Sequence, residues 1–283
     1  PGIAPGFVGG AIAVALNAGF IGGLVTGLIA GLIAMWIASI KVPRWLAGLM
    51  PVVIIPLVTT LIVGLLMYLL LGAPLAALMT ALQNGLSSMS GSSAVLLGVI
   101  IGLMMCFDLG GPVNKAAYLF GTAGLSAGGE ANQMIMAAVM ASGMVPPLAL
   151  ALSTTVRGKL YSEAERENGR SAWLLGAAFI SEGAIPFAAA DPLRVIPSMM
   201  AGGAVTGGLI AALNVTQNAP HGGIFVIGTI GNPVGFLIAL VAGVVVSAVI
   251  VTVLKSQRQR ALMARAQRDA ESADAPTAQT AAA

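Results

Sequence analysis

Residues 49–71 read LMPVVIIPLVTTLIVGLLMYLLL, an apolar run without a charged residue. A helix needs about 20 such residues to cross the hydrocarbon core of a bilayer. The run is therefore predicted to be a membrane-spanning helix.

Further apolar stretches lie on both sides of this span, at residues 7–40, 94–107, 131–156, 172–180, 195–215 and 224–254. Residues 74–93 are more polar, and we expect them to be interfacial or partly buried. Hydrophobic residues make up 58% of the chain and charged residues 8%, with a mean hydropathy of +0.96. A soluble domain is about 25% charged, so this composition excludes an ordinary soluble fold.

Three of the stretches contain helix-breaking residues. Residues 7–40 are too long for one crossing and contain Asn17-Ala18-Gly19, which predicts a half-segment followed by a full span. Gly231-Asn232-Pro233 predicts a break before a final helix. Pro146-Pro147 predicts a kink, because proline has no N–H to donate within a helix. We therefore predict an all-α fold, a polytopic transmembrane helical bundle with broken helices and re-entrant hairpins.

The basic residues indicate how the bundle is oriented. They gather at Lys41 and Arg44, in the loop at residues 157–170, and at residues 255–268. The positive-inside rule makes these three regions cytoplasmic. The first two must then be separated by an even number of crossings, so either residues 112–127 also cross or one apolar segment is re-entrant. Because these charges lie at the ends of apolar segments, the net charge of +3 does not indicate nucleic-acid binding.

Six charged residues and one histidine lie outside these basic regions and the C-terminal tail: Asp108, Lys115, Glu130, Glu182, Asp191, Arg194 and His221. An ionisable group at membrane depth costs about 2.5–3.5 kcal/mol, which makes each one a candidate functional residue. Most of them fall in three polar islands at predicted helix breaks.

The first island is FDLGGPVNKAA at residues 107–117. Its Gly-Gly-Pro breaks the helix, with Asp108 and Lys115 on either side. These two residues could form a salt-bridged turn at an interface. Alternatively, the ends of the broken helix could line a cavity.

The second island is FISEGAIPFAAADPLR at residues 179–194. Asp191-Pro192 predicts a helix N-cap followed by proline at the first helical position, with Arg194 as a local partner for Asp191. Glu182 could be satisfied by backbone amides, or it could accept hydrogen bonds from the hydroxyl groups of a polyol.

The third island is NVTQNAPHGG at residues 214–223, where His221 lies in a tight turn beside Asn and Gln side chains. His221 could be a satisfied polar residue or a ligand that titrates near neutral pH. There is no GxxxxGK[ST] loop, CxxC or HExxH in the sequence, so we predict no cofactor and no metal site of those kinds. Hydrogen-bonding islands at helix breaks are typical of a transporter for a small polar solute.

At these islands the chain resembles the membrane-spanning IIC component of the bacterial phosphoenolpyruvate-dependent sugar phosphotransferase system, fructose family. The resemblance rests on four motifs in order, PGIAPGFVGG (1–10), FDLGGPVNKAA (107–117), FISEGAIPFAAADPLRVIPS (179–198) and NAPHGGIFV (218–226). It covers residues 1–255, which we assign to the IIC-type transmembrane domain, and leaves residues 256–283 as a cytoplasmic tail that we expect to be disordered.

The resemblance implies a subunit of the bacterial inner membrane that imports fructose or a related sugar by an elevator-type motion and acts as a homodimer. It implies that a separate IIB domain phosphorylates the sugar from a phosphocysteine, with IIA and HPr upstream, so that the residues carrying the phosphoryl group are not on this chain. Cys106 is not in a phosphate-binding loop and is not that cysteine. The predicted substrate-binding residues are Glu182, His221, Ser181, Asn218, Asp108, Asn114 and Lys115.

The chain also departs from the family pattern. Such proteins have further membrane segments before the PGIAPG motif, and this chain starts at the motif, so we expect part of the natural N-terminus to be missing. Two other functional hypotheses stay open from the sequence. One is an ion- or proton-coupled secondary transporter with Glu182 or Asp108 as the coupling carboxylate. The other is a membrane scaffold.

Overall fold

The computed structural model describes residues 2–87 and 92–274, and within these residues the fold is all-α. The one β pairing found in them is an isolated bridge between Gln217 and Ile230. Within the described residues, five helical segments are long and apolar enough to cross a membrane: Ile21–Ala38, Met50–Ala81, Glu130–Val156, Pro192–Ala212 and Pro233–Ala270. The prediction of a polytopic helical bundle is confirmed.

The α-helices are numbered in chain order. They are α1 (Ile3–Ala15), α2 (Gly19–Ala38), α3 (Arg44–Ala47), α4 (Ile55–Leu66), α5 (Gly72–Ser87), α6 (Ser92–Phe107), α7 (Pro112–Ala127), α8 (Glu130–Val156), α9 (Glu163–Ala177), α10 (Ile185–Ala190), α11 (Pro192–Ala212) and α12 (Pro233–Asp274). Short 3₁₀ helices lie at Gly158–Leu160, Ser181–Ala184 and Gly223–Thr229.

The chain folds into two compact units. The first comprises Pro1–Ser90 and Leu119–Met136, and the second comprises Gly91–Tyr118 and Ala137–Ala283. The division falls within α7 and within α8, so each of these helices contributes residues to both units.

In the first unit, the predicted half-segment and full span are present. α1 ends at Ala15, Asn17 adopts the left-handed conformation (φ 57°), and α2 begins at Gly19. The predicted span at residues 49–71 forms one continuous helix from Met50 onward, in which π-helical turns at Met50–Ile54 and Met67–Leu71 flank α4. α5 continues this helix into residues 74–93, where the sequence indicated an interfacial segment; residues 88–91 of that segment lie outside the described residues.

In the second unit, α11 packs closely against α6 through glycine. A Cβ atom at Gly98 or Gly102 of α6 would overlap the carbonyl oxygen of Gly207 or Gly203 of α11. On its other side, α11 meets α12, where the Ser247 hydroxyl donates to the Ser198 carbonyl at 2.9 Å. Small residues and hydroxyl groups of this kind let membrane helices approach each other closely.

α8 is an uninterrupted helix that contains Pro146 and Pro147. Because each proline lacks an N–H, the carbonyl groups four residues earlier, at Ser142 and Gly143, lose their helical donors. Two side chains from outside the helix reach these carbonyl groups. The Cys106 thiol donates to the Ser142 oxygen at 3.4 Å, and the Ser181 hydroxyl donates to the Gly143 oxygen at 2.8 Å.

The basic loop after α8 is held to the middle of α12. Lys255 Nζ lies 2.9 Å from Glu165 Oε1 and 4.3 Å from the centroid of the Tyr161 ring. Partial burial acts to raise the pKa of Glu165, but hydrogen bonds from Ser162 and Lys255 hold it below its usual range. The carboxylate is therefore ionised at neutral pH. Two of the three basic regions are thus neighbours in the second unit, and α12 continues into the tail as far as Asp274, with residues 275–283 outside the described residues.

The N-cap position of α11 differs in part from the prediction. Asp191 occupies it, Pro192 follows at the first helical position, and the predicted local ion pair with Arg194 is present at 2.8 Å. The side chain of Asp191 makes no cap hydrogen bond. The predicted side-chain cap is wrong because the second carboxylate oxygen binds Arg258 at 3.1 Å, so both oxygens accept from guanidinium groups.

We predict that Gly102→Ala lowers the free energy of unfolding by about 1–3 kcal/mol, because the methyl group would collide with rigid backbone of α11. Thermal unfolding in detergent measures the effect. Gly31→Ala is the matched control, because a Cβ atom there meets no atom within 4 Å. Equal stability of the two variants would contradict this account of the α6–α11 packing.

Candidate functional site

The first polar island forms a tight turn between α6 and α7. Leu109 and Gly110 have positive φ angles of 53° and 113°, which reverse the chain. The Asp108 carboxylate accepts the N–H groups of Val113 at 2.7 Å and Asn114 at 2.9 Å. The Asn114 side chain donates to the Met105 carbonyl at 2.7 Å. Asp108 therefore caps the start of α7, and Asn114 satisfies a carbonyl at the end of α6.

Glu182 meets this turn from the second island. A Cβ atom at Gly110 would lie 2.8 Å from Cδ of Glu182, so only glycine lets the turn approach so closely. Lys115 Nζ lies 2.8 Å from Glu182 Oε1. The side chains of Lys115 and Glu182 are 55% and 44% exposed, so the ion pair remains open to solvent or to a ligand. Lys115 thus pairs with Glu182, and Asp108 is engaged by the backbone of α7.

The third island brings an aromatic cluster to the same region of the second unit. The His221 ring centroid lies 4.9 Å from that of Phe179 and 6.1 Å from that of Tyr118, and the Tyr118 and Phe179 centroids are 6.2 Å apart. Gly223 (φ 59°) presses the His221 turn onto the end of α9, where a Cβ atom would overlap the Ala177 carbonyl. Tyr118 lies one helical turn after Lys115, which connects the aromatic cluster to the ion pair.

The three breaks therefore form one site with two chemical parts. The Glu182–Lys115 pair offers both a charged acceptor and a charged donor for hydroxyl groups. The rings of Tyr118 and His221 offer apolar faces beside it, and the buried ring of Phe179 packs behind them. This combination suits a small neutral molecule with many hydroxyl groups better than a bare ion.

A family model described as "Phosphotransferase system, EIIC" matches residues 4–202, which is more than half of the chain. The chain belongs to the phosphotransferase system EIIC family. It is accordingly a multi-pass membrane protein, in agreement with the five spans.

Curated relatives of this EIIC chain carry fructose in their names. It is 48% identical over 220 residues to the "PTS system fructose-specific EIIB'BC component" of Escherichia coli (77% of this chain, 38% of the relative). It is 44% identical over 221 residues to the "PTS system fructose-specific EIIC component" of Haloferax volcanii (78% and 58%). It is 48% identical over 214 residues to the "Fructose permease IIC component" of Bacillus amyloliquefaciens (76% and 69%). The EIIC chain thus spans between 38% and 69% of the length of these three relatives, and no solved structure matches it.

The predicted site residues of the EIIC chain divide into two groups. Glu182, Lys115 and His221 are exposed and lie together. Asp108, Asn114 and Ser181 use their side chains to satisfy backbone groups, and Asn114 and Ser181 are buried. Asn218 is exposed and is held to the Thr229 carbonyl through its backbone and side-chain nitrogens. The assignment of these residues to a substrate site stays a prediction.

Tyr118 and Phe179 were not predicted to be site residues, although each lies beside a residue pattern that was. Phe179 is the first residue of the quoted FISEG motif and adopts a left-handed conformation (φ 65°). Tyr118 follows Lys115 at a spacing of three residues on a helix, which places both on one face. Among the described residues, no group of three His, Cys, Asp or Glu side chains is arranged to hold a metal ion.

We predict that Asp108→Ala destabilises this EIIC protein by about 1 kcal/mol, because the first N–H groups of α7 lose their acceptor. The measurement is the midpoint of thermal unfolding in detergent, and the control is Asp269→Ala on the exposed last part of α12. An unchanged midpoint for Asp108→Ala would show that water or another group caps α7.

Proposed function

We propose that this chain is the sugar-translocating subunit of a phosphoenolpyruvate-dependent phosphotransferase system that imports fructose. The observation that carries the proposal is the exposed Glu182–Lys115 pair beside the rings of Phe179, Tyr118 and His221. The names of the relatives, which specify fructose, support this choice of sugar.

In the proposed binding step, hydroxyl groups of the sugar replace part of the Glu182–Lys115 contact. An exposed ion pair of this kind contributes only about 0–1 kcal/mol to stability, so a ligand can open it at little cost. The carboxylate then accepts from one hydroxyl group, and the ammonium group donates to another. The rings of Tyr118 and His221 cover the C–H surface of the sugar, because aromatic faces pack well against apolar parts of a ligand.

In the proposed transfer step, a IIB domain supplies the phosphoryl group from a phosphocysteine. The oxygen of the 1-hydroxyl group attacks phosphorus, the new O–P bond forms as the S–P bond breaks, and the cysteine leaves as a thiolate. The hydroxyl proton passes to a neighbouring base, for which Glu182 and His221 are the candidates. A IIA domain and HPr then recharge the cysteine.

The proposal includes an orientation and an assembly. We place the chain in the bacterial inner membrane as a homodimer, with the loop at residues 157–170 and the C-terminus in the cytoplasm. The pairing of Lys255 with Glu165 supports a common side for these two basic segments, because it brings the segments together. Their excess of Lys and Arg favours the cytoplasmic side.

We predict that labelled fructose enters right-side-out membrane vesicles only when phosphorylated IIB is enclosed within them, and that it accumulates as fructose phosphate. IIB supplied outside should not support uptake, because the phosphorylating face is cytoplasmic. Uptake of unmodified fructose that an uncoupler abolishes would contradict the proposal and favour the coupled transporter.

In the same assay Glu182→Gln should abolish uptake and fructose binding, whereas Glu167→Gln on the exposed face of α9 should leave both unchanged. Retained binding in Glu182→Gln would remove Glu182 from the site.

A further inference from the structure

The turn that carries Glu182 rests on one turn of α8, residues 143–147, which we call the α8 seat. A Cβ atom at Gly143 would overlap the Phe179 ring, so the ring fills the space that glycine leaves. The Ser181 hydroxyl donates to the Gly143 carbonyl at 2.8 Å. A Cβ atom at Gly183 would lie 3.4 Å from Cβ of Pro147, so the backbone there lies against the proline ring.

The carbonyl of Gly143 is available because of Pro147. In a regular helix this oxygen would accept the N–H of residue 147, and proline has none. Gly143 is buried, and an unpaired carbonyl group there would be costly. The hydroxyl of Ser181, which is itself 4% exposed, is therefore expected to remain hydrogen-bonded to this oxygen.

We propose that Ser181 is a positioning residue for Glu182 and does not bind the sugar. Its hydroxyl ties the 181–184 turn to the α8 seat, while Lys115 pairs with the Glu182 carboxylate and Gly110 packs against the Glu182 side chain. A carboxylate fixed in advance loses less conformational freedom when a ligand binds, which strengthens binding. The proposal rests on the proposed function, because it takes Glu182 as the sugar ligand.

The test is a double-mutant cycle on fructose affinity in the full chain, measured with labelled fructose and detergent-purified protein. Ser181→Ala removes the donor, and Pro147→Ala gives the Gly143 carbonyl a competing helical N–H. Each should weaken binding about tenfold, and the double variant should also be about tenfold weaker, because both changes break one contact. A double variant about a hundredfold weaker would overturn the proposal, since a direct sugar ligand would act independently of Pro147.

Pro146→Ala is the matched control for the cycle. It gives the Ser142 carbonyl a helical N–H donor. That carbonyl accepts from the Cys106 thiol and not from Ser181. The effects of Pro146→Ala and Ser181→Ala on fructose affinity should therefore multiply. Ser181→Thr, which keeps the hydroxyl, should bind fructose within about threefold of the unmodified chain; a loss as large as that of Ser181→Ala would count against the tether.

Thermal unfolding without sugar gives an independent readout. Ser181→Val should lower the midpoint by about 3 °C relative to Ser181→Thr, because a buried carbonyl loses its donor. Equal midpoints would overturn the tether even if Pro147→Ala does not fold. If the midpoints differ but the unmodified chain binds no fructose, the proposed function fails, and with it the role of the tether in a sugar site. If fructose binds and the cycle is multiplicative, the proposed function stands and the positioning role fails.

Discussion

Backbone polar groups at the helix breaks have to be satisfied by the protein itself, and the second unit depends on this constraint. An unpaired N–H or carbonyl group that is buried in the protein is costly, and hydrocarbon offers it no partner. Asp108 accepts hydrogen bonds from two N–H groups at the start of α7, and Asn114 donates one to a carbonyl at the end of α6. Cys106 and Ser181 donate to the two carbonyl groups that the prolines of α8 leave without a helical donor. These contacts hold the breaks in place, and the breaks hold the candidate site.

The same constraint divides the polar residues by task. Side chains that satisfy the backbone are turned inward, as with the buried Asn114 and Ser181. Glu182, Lys115 and His221 are left exposed at the points where the three turns meet. Glycine makes this meeting possible, because Gly110 and Gly223 bring backbone within contact distance of Glu182 and of the end of α9. The backbone framework thus presents a few exposed polar groups, as ligand sites in proteins commonly do.

The sequence predicted the fold class, the breaks at Asn17 and Gly231, and the three islands, because these depend on apolar length and on local helix breakers. The partners of individual residues were harder to predict. A salt bridge between Lys115 and Asp108 was one of two possibilities left open by the sequence, but Lys115 pairs with Glu182, 67 residues away. The acceptor of Ser181 lies 38 residues earlier in the chain. Pairings of this length depend on how helices pack. The contacts of Tyr118 and Phe179 with His221 on the third island are of the same long-range kind.

The central claim is that the three islands form one sugar site. The most direct measurement is a structure of the full chain determined by electron cryo-microscopy in the presence of fructose. The account predicts density for the sugar in contact with the Glu182 carboxylate and against the rings of His221 and Tyr118, with Ser181 still on the Gly143 carbonyl. Sugar density away from Glu182, or bound directly to the Ser181 hydroxyl, would contradict it.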